Sequence, residues 1–476
     1  MNETLENIRH LYSRAAFGLN AVEFRAMNDR TLDQVINELF ENAKVANPLQ
    51  IIDEADTVNN REMLKQLKKL KSDSSADAMK QKREILKKSI DLSQSLNTTW
   101  VRQMIDTQSQ FAEKMTLFWH GHFACRDRSS FHLQQLNNIH RSLGLGNFRD
   151  LLMAVSKSPA MLIFLNNQQN KKQHPNENFA RELMELFTMG RGNYTEQDVK
   201  EAARAFTGWS FNFQTSEFVF KKSQHDTGIK TFLGQKGNFT GDEIISIILE
   251  KKVTAQFISQ KLYKYFVNYT PNPENVNELA ETLYDSNYDI ARTMQKMFNS
   301  SWFYDDSNKG NRVKSPVEYI VSLNRMFDLH YNDIGALLLM QRSMGQLLFF
   351  PPNVSGWPGD RNWIDSNTLL TRLQLASTLI DGGQIELSGA ADPEEEAEIA
   401  INDKYINRMK HRLSATIDWD KFIAGLPQSY TMEDLISLLL PAGLTPEKYR
   451  YLLPLTTENV RDLIVQIVSL PEYQLC

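Results

Sequence analysis

The chain has 476 residues, 41% of them hydrophobic and 23% charged, which is the composition of a globular protein with material for a large core. Its net charge of -5 speaks against a general nucleic-acid binder, and two cysteines, Cys125 and Cys476, exclude a disulfide framework and a cysteine metal site. No stretch reaches the roughly 18 apolar residues of a membrane span. The start MNETLENIRHLYSRAAFG also lacks a secretory signal, so the expectation is a cytoplasmic protein unless a signal has been removed.

Taken in order, residues 1–58 read as short amphipathic helices, with Thr31 capping LDQVINELF. His10 and Arg14 share one helix face there and are candidate substrate contacts. Residues 59–104 read as a projecting basic helical hairpin turned at SDSSAD. Between Arg61 and Lys88 it holds ten Lys or Arg, four Asp or Glu and no aromatic residue, which is the pattern of a solvated arm rather than of a nucleic-acid groove.

Residues 105–381 read as the helical core that carries the candidate site. The segment FAEKMTLFWHGHFACR from Phe111 is apolar enough to be buried, with Glu113, His120 and His122 as its polar exceptions. Two histidines beside such a glutamate point to metal ligation or acid/base work if the backbone leaves helical geometry near Gly121. From His174 to Trp209 two helices joined by a glycine turn are expected, with Asn178, Glu182 and Glu185 on one stripe. Arg181 and Arg204 stand within reach of those carboxylates, and Trp209 closes the segment.

Residues 210–222 alternate aromatic and polar side chains about a TSE turn, the one hairpin pattern in the chain, and QHDTGIKTFLG then places His225, Asp226 and Lys230 on a loop. Further helices follow, with a full capping box at Ser315 to Glu318. FFPPNVSGWPGDRNWI then breaks them, and its Trp357 and Trp363 are expected to line a pocket. Residues 382–476 read as an acidic linker and a small helical cap. The fold class that results is mainly α, a multi-helical body with one small β-hairpin and the projecting helical hairpin.

HLYSRAAFG, FWHGHFA, NENFARELMELFTMGRGNYTEQDVKEAARAFTGW, HDTGIKTFLG and GWPGDRNW, in this order, resemble the large bacterial family known as domain of unknown function 1800, over about Ile8 to Ile380. The resemblance implies no established activity, and members of that family are often exported. Family motifs often carry a His where Phe187 stands here, so the resemblance implies no metal ligand at position 187. His120, His122, Glu182, Glu185, His225 and Asp226 match the motifs.

The first functional expectation is a metal-dependent enzyme, a hydrolase before an oxidoreductase. His120, His122, Glu182 and His225 or Asp226 would hold zinc, iron or manganese, and Glu185 would be the general base beside Arg181 and Asn178. His10, Arg14, Arg204, Trp209, Lys230, Trp357 and Trp363 would contact an unidentified substrate. The alternatives are a metal-free acid/base enzyme acting on a glycan through Glu182 and Glu185, and a helical scaffold that binds a partner protein.

Overall fold

Side-chain caps fix the starts of helices along this chain. In the computed structural model, which describes residues 3–52, 66, 70, 75–333, 335–387, 412–427, 429–452 and 459–476, α1 (Glu3–Ala15) leads to α2 (Ala21–Ala26) and α3 (Leu32–Ala43). Asn20 and Thr31 open the last two with reciprocal capping boxes to Glu23 and Gln34. The long α4 (Ala76–Asp106) starts at the Ser75 cap. It is followed by α5 (Gln110–His122), α6 (Ser130–Leu143), α7 (Phe148–Lys157) and α8 (Pro159–Phe164).

The His174 to Trp209 segment forms α9 (Asn178–Glu182), which widens into a π turn at Leu183–Thr188, and α10 (Glu196–Ala205), opened by the Thr195–Asp198 capping box. A run of helices comes next: α11 (Gly241–Leu249), α12 (Lys252–Phe266), α13 (Pro273–Asp285) and α14 (Ile290–Asn299). The capping box of Ser315 and Glu318, with Pro316 in the first turn, opens α15 (Pro316–Phe327). Then come α16 (Ala336–Ser343) and α17 (Ser366–Ile380) and, near the end, α18 (Trp419–Gly425), α19 (Met432–Leu439), α20 (Pro446–Leu452) and α21 (Val460–Val468).

Two apolar cores organise these helices. The first is built from α1, α3, α5, α7 and the helices from α9 to α14. The second combines α4, α15, α16 and α17 with α19 and α21. Helix α5 lies between them, giving Phe111, Met115, Phe118 and Trp119 to the first and Leu117 to the second. A helix that is apolar all round has to be enclosed, and this one is buried from Gln110 to His120.

The mainly helical expectation describes the molecule. The expected hairpin is the ribbon β1 (Trp209–Phe211) and β2 (Phe218–Phe220), with Ser210 opposite Val219. Three more short antiparallel ribbons join it: β3 (Lys230–Phe232) with β4 (Gln235–Gly237), β5 (His330–Tyr331) with β8 (Ala415–Thr416), and β6 (Ile385–Glu386) with β7 (Arg412–Leu413). Strands of two or three residues are too short to show a period of two, which is why the sequence did not mark them.

Nearly all of the first arm of the basic hairpin lies outside the described residues. The second arm is α4, whose C-terminal part buries Leu96, Trp100, Val101 and Met104. The segment expected as a cap shares the second core through Leu413, Leu435 and Ile464.

Candidate functional site

His120 and His122, near the end of α5, turn in different directions, as residues two apart on a helix must. The Nε2 of His120 accepts the Phe349 N–H at 3.1 Å, so its proton sits on Nδ1. The ring lies between Trp100 and Phe349, with centroids 5.0 Å from each, and 5.3 Å from Trp357. The Nε2 of His122 lies 3.1 Å from the Phe187 carbonyl, which can only accept, so this nitrogen carries the proton and Nδ1 keeps a lone pair. Burial pushes both imidazoles down to about 3, so both are neutral at physiological pH.

The carbonyl that His122 caps belongs to the π turn. Such a turn leaves backbone groups outside the α-helical ladder; here Met189 and Gly190 both donate to Met184 O, at 2.8 and 3.0 Å. Gly190 sits at φ +76 with the Phe257 ring against it, so an added Cβ would stand 2.9 Å from that ring. Glu182 and Glu185 flank the start of the turn in unlike surroundings. Glu185 is held by Arg191 and by the Tyr194 hydroxyl, at 3.1 Å. Glu182 is half-buried, and lost hydration, followed by the Glu185 charge, raises its carboxyl above the usual range.

The structure sorts the expected site residues into separate groups, and the single metal centre predicted from the sequence is not assembled. Asp226 takes a bidentate clamp from Arg204, at 2.7 and 3.2 Å, and Arg204 also binds Glu201. His225 Nδ1 donates to the Thr207 carbonyl at 3.0 Å. Lys230 is spent on the carbonyls of Asp226 and Gly228, at 2.6 and 3.1 Å. Arg181 bridges Glu177 and Glu196, Asn178 donates to Leu165 O, and Trp209 is packed among Phe179, Phe206 and Phe218.

His10 bonds Phe303 O, and Arg14 bonds Asn308 O and the Asn311 side chain. Among the described residues no group of three His, Cys, Asp or Glu side chains is placed to hold a metal ion. The donor set of His120, His122, Glu182, His225 and Asp226 therefore does not fit one. Of these, Asp226 is neutralised by an arginine, and His120 has given its lone pair to a backbone N–H.

What the fold does bring together is a cleft of about 330 Å³ between α5, α12 and the loop of Trp357 and Trp363, with His122 in its wall. The loop presses close to α5: a Cβ on Gly356, at φ +84, would stand 2.6 Å from the Gly121 carbonyl. One wall carries Lys261 and Lys264. The Lys261 ammonium lies 5.3 Å from the Phe257 centroid, and that of Lys264 5.5 Å from the Tyr269 centroid. Lost hydration, then the Lys264 charge, holds Lys261 below the usual lysine range. Neither lysine has a carboxylate partner among the described residues.

Arg312 and Asp360 complete the lining. Behind Arg312 lies a buried charge cluster in which Lys114 and Arg312 both pair with Glu318. Burial tends to raise the Glu318 carboxyl, but the Arg312 and Lys114 charges outweigh it and hold the group well below the usual range. Arg14, Lys314 and Arg372 also feel the Glu318 charge, and burial lowers Lys314 to about 8.

Reading the sequence found Trp357, Trp363 and His122 but missed Lys261, Lys264, Tyr265, Arg312 and Asp360. The signal for the first three was there, in KLYKYF: lysines three apart interleaved with aromatic residues.

The chain belongs to the family described as protein of unknown function (DUF1800), whose model matches residues 10–475. A search of the curated proteins and of the solved structures finds no match.

Proposed function

We propose that the cleft between α5, α12 and the tryptophan loop binds an acidic saccharide, and that this binding is the function the rest of the body supports. The observation that carries the reading is the pair Lys261 and Lys264, which have no carboxylate partner among the described residues, on the wall of a cleft that also holds Trp357 and Trp363. Aromatic faces suit the apolar face of a sugar ring, while unneutralised ammonium groups in a partly dry cleft attract its carboxylate. The neutral His122 offers Nδ1 as an acceptor for a sugar hydroxyl. Fluorescence titration with an oligogalacturonate and with a neutral oligosaccharide of equal length tests this. The acidic ligand alone should give a saturable change, weakened by salt and lost in the Lys261→Ala/Lys264→Ala variant. Equal response to both ligands, or to neither, would sink the proposal.

A second reading, acid/base chemistry on a sugar held beside the cleft residue Leu186, is supported by Glu182 and Glu185, two neighbouring carboxylates in unlike environments. Its test is turnover of an acidic oligosaccharide, with loss of the alkaline limb of the pH profile in Glu182→Gln, the carboxyl held above its usual range acting as the general acid. The metal-dependent hydrolase of the sequence reading is less well supported, because its donors would first have to leave Arg204 and the Phe349 N–H.

A further inference from the structure

A second arrangement of reactive groups lies away from the cleft, where the loop between α5 and α6 meets the β1–β2 hairpin. Asp127 Oδ2 lies 2.7 Å from His132 Nδ1, and both side chains are buried, at 6% and 10% exposure. The other oxygen, Oδ1, accepts the Ser129 N–H at 3.2 Å, and Ser129 Oγ caps the first turn of α6 at His132 N. The carboxylate is thus fixed before the imidazole meets it. An ionised carboxylate only accepts, so Nδ1 carries the proton and Nε2 keeps its lone pair. That lone pair points at Ser216 Oγ, 3.2 Å away.

Ser216 is in the hairpin turn at φ +57, a left-handed conformation that is strained for a serine. The turn is pinned by Ser216 N to Asn212 O, at 2.8 Å, and Asn212 N to Glu217 O, at 2.7 Å. Asparagine or glycine would suit the backbone better, whereas the hydroxyl is what meets the imidazole. Ser216 is 5% exposed but flanked in sequence by the exposed Thr215 and Glu217. Beside it Phe211 packs edge-on to His132, and Phe213, 66% exposed, lies 4.5 Å from Phe211.

We propose that Ser216, His132 and Asp127 form a nucleophilic site that hydrolyses small carboxylic esters with an apolar acyl group, which the exposed Phe213 would receive. Ser216 Oγ attacks the ester carbonyl carbon while its proton passes to His132 Nε2, and Asp127 steadies the imidazolium. The bond from that carbon to the leaving oxygen then breaks, and His132 returns the proton to the departing alcohol. Water repeats the cycle on the acyl-serine, releasing the acid and restoring the hydroxyl. The backbone N–H groups of Phe213 and Thr215 make no backbone hydrogen bond among the described residues and would be the turn's candidate donors to the oxyanion.

The test is labelling with a fluorophosphonate, located by peptide mass spectrometry, together with hydrolysis of p-nitrophenyl butyrate by the full chain. The expected result is modification of Ser216. Hydrolysis should fall about 1,000-fold or more in Ser216→Ala at unchanged melting temperature, and as far in His132→Gln. The Lys261→Ala/Lys264→Ala variant should keep the activity, which separates this site from the cleft. An unlabelled Ser216 in the unsubstituted chain, or hydrolysis that survives Ser216→Ala, would overturn the proposal and leave the contact as a tie between hairpin and helix.

Discussion

Glu113 on α5 holds Arg141 on α6 with both carboxylate oxygens, at 2.7 Å to Nε and 3.0 Å to Nη2, and both side chains are almost wholly buried. The same carboxylate accepts Trp100 Nε1 at 2.7 Å and Gln103 Nε2 at 2.8 Å, so one group ties α4, α5 and α6 together. Removing it strands a buried guanidinium. Glu113→Ala should therefore cost about 3–5 kcal/mol, the range for breaking one side of a buried pair. Chemical denaturation measures it; a loss under about 1 kcal/mol would mean that water reaches Arg141.

Acid should unfold the protein earlier than its carboxylates alone would require. His120 and His122 titrate at about 3 in the folded chain because of burial, and at about 6.5 once unfolded. Between those values the unfolded chain binds more protons, so stability falls as pH drops from about 6.5 towards 3. Glu318 adds to the same trend at its lower end, because a carboxyl held below its ordinary range loses its contribution as pH falls towards the folded value. Denaturation midpoints at pH 7.5, 6 and 5 should decline in order. A flat series would contradict neutral imidazoles in the folded chain.

Gly356→Ala should loosen the tryptophan loop. The added methyl would meet the Gly121 carbonyl at 2.6 Å, on a backbone at φ +84 that alanine rarely adopts. A loss above about 1 kcal/mol is expected, with a shift in tryptophan emission because Trp357 is the next residue. An unchanged spectrum and midpoint would show that the loop can retreat from α5.

Chelation separates a metal centre from a network of ion pairs. Exhaustive EDTA treatment should leave the melting temperature unchanged, while Arg204→Met should lower it by freeing Asp226 and Glu201. A clear drop with EDTA, reversed by one added metal, would restore the centre expected from the sequence.

The helices, the caps at Thr31 and Ser315 and the burial of α5 were legible because they rest on local spacing and on short polar motifs. The grouping of the polar residues was not. Glu113 drew notice as a polar exception beside His120 and His122, yet its partner, Arg141, is 28 positions away on a neighbouring helix. Likewise His225 and Asp226 read as a loop donor pair, but Thr207 and Arg204 claim them. Tertiary neighbours decide whether a buried carboxylate meets a metal or a guanidinium, and no spacing along the chain records them.

The π turn at Leu183–Thr188 also sets an angular register. It takes up one residue more than an α-helical turn, so removing a single residue there would let the ladder close. Everything before the cut would then rotate by about 100° about the helix axis relative to the residues after it. Glu182 would swing out of phase with Glu185, and the carbonyl that His122 caps would return to the helix. This part of the chain should accordingly resist a one-residue deletion far more than a change of side chain.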